Sequence, residues 1–204
     1  MSPAQLLSKW VGETEQNLAA VFERARAQAS ALIFMDEIDG FGINRDGDGP
    51  ASPIPGLLTQ LLTELDGCAD VGQGGQARVR FLAASNQPWA VDAALMRPGR
   101  LDAHCYVRLP DAQARKALLA QRLKGVPTAR RLNLADVAEA AQGCSGAEVA
   151  AVADEAMRMA FLRSVEAGGR SSPVSQDDLM EAAHTVHRAA TPDMLARFKA
   201  FGQA

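Results

Sequence analysis

The chain has 204 residues, 48% of them hydrophobic, which suffices for one sizeable core or one core with a smaller satellite domain. Charged residues make up 22%, the formal net charge is -3 and the pI is near 5.6, which argues against a disordered chain and offers no basic footprint for nucleic acid. No apolar run approaches the roughly 18 to 20 residues of a membrane helix, and the N-terminus lacks the basic and apolar segments of a signal peptide. The expectation is a soluble, cytoplasmic protein with neither membrane nor nucleic acid as partner. Cys68, Cys105 and Cys144, an odd count without C-x-x-C spacing, exclude a disulfide scaffold and a zinc knuckle.

Ser2-Pro3 reads as a helix start, with Ser as cap and Pro at the first helical position. Leu18, Val21, Phe22, Ala25 and Ala29 then recur at three- and four-residue steps and predict a longer helix. Ala31 to Met35 is a short continuous apolar run, expected for a strand buried on both faces of a parallel sheet, and it ends abruptly in Asp36-Glu37. Residues 40 to 56 read as a Gly-, Asp- and Pro-rich loop. Leu57, Leu58, Leu61, Leu62 and Leu65 mark one face of a helix that is expected to stop at Asp66-Gly67. Val79 to Ala84 predicts a second strand, ending at Ser85-Asn86, and a third short strand is expected around Cys105 to Leu109. Alternating helices and buried strands imply a parallel α/β sheet.

From Pro110 onward the pattern is all helical: Asp111 to Leu123, Leu134 to Ala140, Ser145 to Val165, Ser175 to Ala189, and a short helix from Thr191-Pro192. Ser145 with Glu148 and Ser175 with Asp178 have capping-box spacing. The expected organisation is residues 1–109 as α/β, 110–190 as a helical domain and 191–204 as a terminal helix and tail.

Four places carry side chains suited to chemistry. In open α/β sheets ligands bind beyond the carboxyl ends of the strands, where Asp36 could hold a magnesium ion and Glu37 could polarise a water. The same two residues could equally be an acidic helix cap after a buried strand. Asn86 could contact a terminal phosphate without adding charge, or be an ordinary turn residue before Gln87-Pro88. Arg97 and Arg100 flank a Pro-Gly turn and present planar forks suited to phosphate oxygens, or are solvated turn residues. Trp10 and Val11, beside Gly12, suit a loop gripping extended polypeptide, or pack at the start of the next helix.

Two patterns are set aside. Asn44, Asp46, Asp48 and Gly49 imitate a calcium loop, but Pro55 stands where a bidentate Glu is needed. His184 and His187 lie three apart on a predicted helix with no third ligand in view. The stripe Val149, Val152, Ala156, Met159 is an ordinary core face, as is the leucine stripe before it.

In this order the pieces resemble the AAA+ ATPases, and within them the second ATPase domain of the valosin-containing protein type. Leu6 to Glu13 is similar to the first pore loop, Leu32 to Asp39 to the Walker B strand, and Leu61 to Gly67 to the helix that follows. Ala84-Ser85-Asn86 is similar to sensor 1, Leu95 to Asp102 to the arginine-finger segment, and Gly143 to Glu148 to the lid segment bordering the nucleotide base. The likeness runs from about Pro3 to Ala189. It implies a partial P-loop NTPase sheet followed by a helical lid, in an enzyme that hydrolyses ATP with Mg2+ to unfold or remodel protein substrates as a homo-hexamer. It further implies Asp36 on the metal, Glu37 on the water, Asn86 on the terminal phosphate, and Arg97 and Arg100 as fingers for a neighbour's nucleotide. Gly146 and Ala147 would line the base, and Trp10 and Val11 would move substrate.

One departure stands out. The chain has no G-x-x-x-x-G-K-[ST], the loop whose backbone N–H groups, lysine and hydroxyl hold phosphates and magnesium. The resemblance places it upstream of the pore loop, so two strands, that loop and its helix are expected to be missing, one strand being the neighbour of Cys105 to Leu109. By that expectation this chain alone binds no ATP tightly. The alternative is a catalytically degenerate partner that lends Arg97 and Arg100 to an intact ATPase. A nucleic-acid motor on the same fold fits the acidic charge poorly.

Overall fold

The computed structural model describes residues 13–41, 55–69 and 78–201. They form two compact units, the first made of the described residues up to Cys105 together with Phe201 and the second running from Tyr106 to Ala200.

The first unit contains α1 (Glu13–Arg26), β1 (Ser30–Met35), a 3₁₀ turn (Ile38–Phe41), α2 (Pro55–Ala69), β2 (Arg78–Ala83) and a second 3₁₀ turn (Pro88–Ala90). The two strands are parallel and pair in register from Ser30 opposite Arg78 to Met35 opposite Ala83. Parallel neighbours need a crossover, and α2 lies within it. Leu18 and Phe22 of α1, Ile33 and Met35 of β1, and Leu58, Leu61 and Leu65 of α2 form the core with Leu95 from the loop beyond β2. The Phe22 and Phe81 rings stack with centroids 5.9 Å apart.

The sequence expectation of a strand buried on both faces is corrected here. Ile33 and Met35 are buried, but Leu32 is 64% exposed and Phe34 44%, as is Leu82 of β2 at 52%. Side chains alternate along a strand, so one face of the pair holds Ile33, Met35 and Phe81 and the other Leu32, Phe34 and Leu82. Helices α1 and α2 both pack against the first face, and no described element of this unit covers the second.

The expected third strand is corrected as well. Residues 105–109 run without assigned secondary structure, and Cys105 to Arg108 are exposed. A strand exists only by pairing, and the neighbour that the resemblance supplies for this segment is not among these residues. Two helix ends also differ: α1 stops at Arg26, leaving Ala29 exposed beyond it, and α2 runs on through Gly67 to Ala69.

The second unit is helical: α3 (Ala112–Arg122), α4 (Leu134–Ala140), α5 (Gly146–Glu166), α6 (Gln176–Thr185) and α7 (Pro192–Phe201). Its core joins Leu119, Val137, Cys144, Val149, Val152, Ala156, Leu179 and Ala182. The caps are those that the spacing predicts. Ser145 with Glu148 and Ser175 with Asp178 each form a reciprocal capping box, and the Thr191 hydroxyl accepts from Met194 N–H at 3.2 Å. The buried Arg115 donates from Nε to the Ala138 carbonyl at 2.7 Å and from Nη1 to the Pro110 carbonyl at 2.8 Å, satisfying acceptors at the end of α4 and before α3.

Helix α6 ends at Thr185 rather than at the predicted Ala189, so His187 lies beyond it while His184 stays on it. Competing hydrogen bonds supply the reason. Arg188 donates to the carbonyls of Gln142 at 3.0 Å and Ala140 at 2.8 Å, and Ala189 N–H donates to Glu148 Oε1 at 2.5 Å. Another helical turn would forfeit all three. Cys68, Cys105 and Cys144 are free thiols.

Asp178 is a buried carboxylate of this unit. It accepts two hydrogen bonds from Arg163, both at 2.7 Å, and one from Ser175 N–H at 2.8 Å. The Arg163 guanidinium, with the capping amide and hydroxyl of Ser175, holds its carboxyl down at about 2 against the opposing effect of burial. A depressed folded value means that the stabilisation is fully present above the ordinary carboxylate range and is lost as pH falls toward 2. Asp178→Asn is therefore expected to cost about 1–2 kcal/mol at pH 7 and to lose that penalty near pH 2, read by urea titrations at both pH values.

Candidate functional site

The site begins where β1 ends. Met35 is fully buried, and the chain then turns out into solvent, leaving Asp36 and Glu37 exposed before Ile38 dips back into the core. Glu37 has φ 56°, the only positive φ of a non-glycine residue among those described. This left-handed conformation costs an L-residue about 1–2 kcal/mol. It is held by Glu37 N–H donating to Asp36 Oδ1 at 3.0 Å and by the Glu37 carbonyl accepting from Gly40 N–H at 2.8 Å.

The β1–β2 ladder continues past the strands themselves. Ala84 N–H donates to the Met35 carbonyl at 2.9 Å, and Ile38 N–H donates to the Ala84 carbonyl at 3.0 Å. Ser85 and the exposed Asn86 therefore leave β2 alongside the residues that leave β1. Three of the side chains singled out in the sequence, Asp36, Glu37 and Asn86, lie at the carboxyl ends of two paired parallel strands, where open α/β sheets bind ligands. The sequence motifs include Asp39 and Ser85 but give neither a role of its own, yet the Ser85 hydroxyl donates to Asp39 Oδ1 at 2.5 Å. The parallel register was the signal available for finding them.

The two arginines are held differently. Arg97-Pro98-Gly99-Arg100 is a turn with Gly99 at φ 87°, closed by Arg100 N–H donating to the Arg97 carbonyl at 3.1 Å. Asp102 accepts from Gly99 N–H at 3.0 Å, and Leu95, fully buried, anchors the segment in the core. Arg100 donates through Nε and Nη2 to both carboxylate oxygens of Asp66, each at 2.7 Å, and through Nη1 to the Ala94 carbonyl at 2.7 Å. This fork holds the Asp66 carboxyl below its ordinary value. The Arg97 side chain is exposed and makes no hydrogen bond or ion pair among the described residues. Reading Asp66 as a helix-stop signal concealed its pairing with Arg100.

Gly146 and Ala147 belong to the second unit, in the first turn of α5 just after the Ser145 cap. A Cβ at Gly146 would meet Leu118 Cδ1 at 3.8 Å, an ordinary contact, so packing inside this unit does not demand glycine there. Gly143, at φ 83°, makes the turn that leads into the cap. Trp10 and Val11, and the rejected calcium-loop residues Asn44, Asp46, Asp48 and Gly49, lie outside the described residues.

Residues 1–109 match the family model "ATPase family associated with various cellular activities (AAA)", and the chain belongs to that family. Among its relatives, the cell division cycle protein 48 homolog of Archaeoglobus fulgidus is 38% identical over 179 residues, 88% of this chain and 23% of the relative. The ATPase family gene 2 protein of Saccharomyces cerevisiae is 35% identical over 198 residues, 97% of this chain and 24% of the relative. The human ATPase family gene 2 protein homolog A is 37% identical over 164 residues, 80% of this chain and 18% of the relative. The chain thus spans about a quarter or less of the length of these relatives.

The contrast between the two arginines is testable in the folded chain. Arg100→Ala is expected to lower the urea midpoint of the first unit, whereas Arg97→Ala leaves it unchanged, with tryptophan fluorescence as the readout.

Proposed function

We propose that the chain is part of a ring-forming ATPase that couples ATP hydrolysis to unfolding or remodelling of protein substrates. What supports the reading is the placement of Asp36, Glu37 and Asn86 at adjacent parallel strand ends in a chain of the AAA family. Four relatives of similar sequence over most of this chain carry the word ATPase in their names.

The residues fit a nucleotide in part. Asp36 keeps one carboxylate oxygen beyond its bond to Glu37 N–H, and hard oxygen donors are what magnesium takes, so Asp36 would hold it through water. Magnesium, when bound, would neutralise charge on the phosphate oxygens. Glu37, exposed and fixed by its own backbone, would orient and polarise a water. Asn86 would contact the terminal phosphate, and Gly146 and Ala147 would border the base. Arg97 would reach a neighbouring protomer's nucleotide, and Arg100, tied to Asp66, would hold the turn from which it reaches. Trp10 and Val11 would grip extended substrate. The phosphate cradle does not fit: no G-x-x-x-x-G-K-[ST] occurs in the 204 residues.

A hexamer is the proposed assembly and the cytoplasm the proposed location; no helix among the described residues is long and apolar enough to cross a membrane. The residue ranges 1–109, 110–190 and 191–204 are the proposed ATPase core, lid and tail. One observation favours a second reading, a partner that lends arginine to an intact ATPase: the Arg97 side chain is exposed and unpaired among the described residues.

In the complete ATPase, Glu37→Gln is expected to leave Mg-ATP binding within a few fold and to lower turnover by at least about a hundredfold. Unchanged turnover would remove Glu37 from its role. The 204-residue chain alone is expected to show no Mg-ATP heat in calorimetry at micromolar protein, and tight binding there would mean that other groups hold the phosphates.

A further inference from the structure

We infer that Asp39 and Ser85 are positioning residues that fix Asn86 relative to Glu37, a role that rests on the reading of those two groups as hydrolytic. The two strand ends are joined at three points: Ala84 N–H to Met35 carbonyl, Ile38 N–H to Ala84 carbonyl, and Ser85 hydroxyl to Asp39. The first two are main-chain bonds that almost any sequence could make. The third is written in the side chains, across 46 residues of sequence.

The chemistry of the hydroxyl makes this tie directional. A serine has one proton to donate, and an ionised carboxylate can only accept, so the Ser85 proton points to Asp39. A lone pair of the same oxygen then accepts from Gln87 N–H at 2.9 Å. Asn86 is thereby straddled: the residue before it is tied to the β1 side and the residue after it is tied to that same hydroxyl. On the β1 side, Glu37 is straddled in turn, because the Met35 carbonyl before it accepts from Ala84 N–H and Ile38 N–H after it donates to the Ala84 carbonyl, with Asp39 bound to Ser85 one residue further on. Both exposed tips hang from one frame. A hydrogen bond to a charged acceptor is also stronger than a neutral one. Alanine at 85 would leave Asp39 and Gln87 N–H without these partners, whereas threonine would keep the hydroxyl.

The test uses amide hydrogen exchange by NMR on the 204-residue chain, with turnover of the assembled ATPase as a second readout. Ser85→Ala is expected to speed exchange at Ile38, on the far side of the tie, about tenfold, with α1 and α2 amides unchanged. Asp39→Ala should do the same, the double variant should be no worse than either single one, and Ser85→Thr should restore the slow rate. An unchanged Ile38 rate, an acceleration spread evenly over the unit, or a threonine variant no better than alanine would each overturn the inference. In the assembled ATPase, Ser85→Ala should lower kcat about tenfold with KM for ATP unchanged, and Ser85→Thr should rescue it. Turnover that is lost in Glu37→Gln but indifferent to Ser85→Ala overturns the positioning role alone. Turnover indifferent to both, with exchange still responding, overturns the hydrolytic reading on which the role rests.

Discussion

The parallel pairing of β1 with β2 is the constraint from which the candidate site follows. Residues far apart in sequence reach one place because Met35 lies opposite Ala83 and the ladder then runs two bonds further. Everything exposed at that end is delivered by backbone hydrogen bonds, and the apolar residues behind them keep the pair in register. A slip of one residue would move Ile33 and Met35 out of the core and Leu32 and Phe34 into it. The core therefore fixes the position of Asp36 and Glu37 although neither is part of it.

Much of this was legible in the residues themselves. The leucine stripe of α2, the apolar run of β1 and the serine caps of α5 and α6 are local signals, and local hydrogen bonding or periodicity decides them. The acidic tip was legible for the same reason: a charged pair directly after a buried strand can only face outward. What was not legible depends on partners distant in sequence. Continuous apolarity from Ala31 to Met35 gives no clue to whether both faces are covered, because that is a property of where helices pack. The stretch from Cys105 to Leu109 has a strand's composition, but a strand also needs an edge to join.

The helical unit teaches a related lesson. Sequence periodicity carries α6 through Ala189, and the structure ends it at Thr185 because Arg188 finds the free carbonyls at the end of α4. Glu148 serves two masters there, its own helix cap at Ser145 N–H and the incoming Ala189 N–H. Burial works against its charge, and these bonds more than compensate, holding the carboxyl below its ordinary range. A capping box is readable from four residues, but its second use, forty-one positions on, is not.

The left-handed backbone at Glu37 sets stability against the role proposed for its carboxylate. Glycine adopts that conformation freely, so by backbone criteria it is the residue that selection for stability alone would place there. A carboxylate stands there instead. If Glu37 has the proposed hydrolytic role, homologous chains released from that demand would drift toward glycine or asparagine at this position, and its occupant would mark which copies in a lineage still do work.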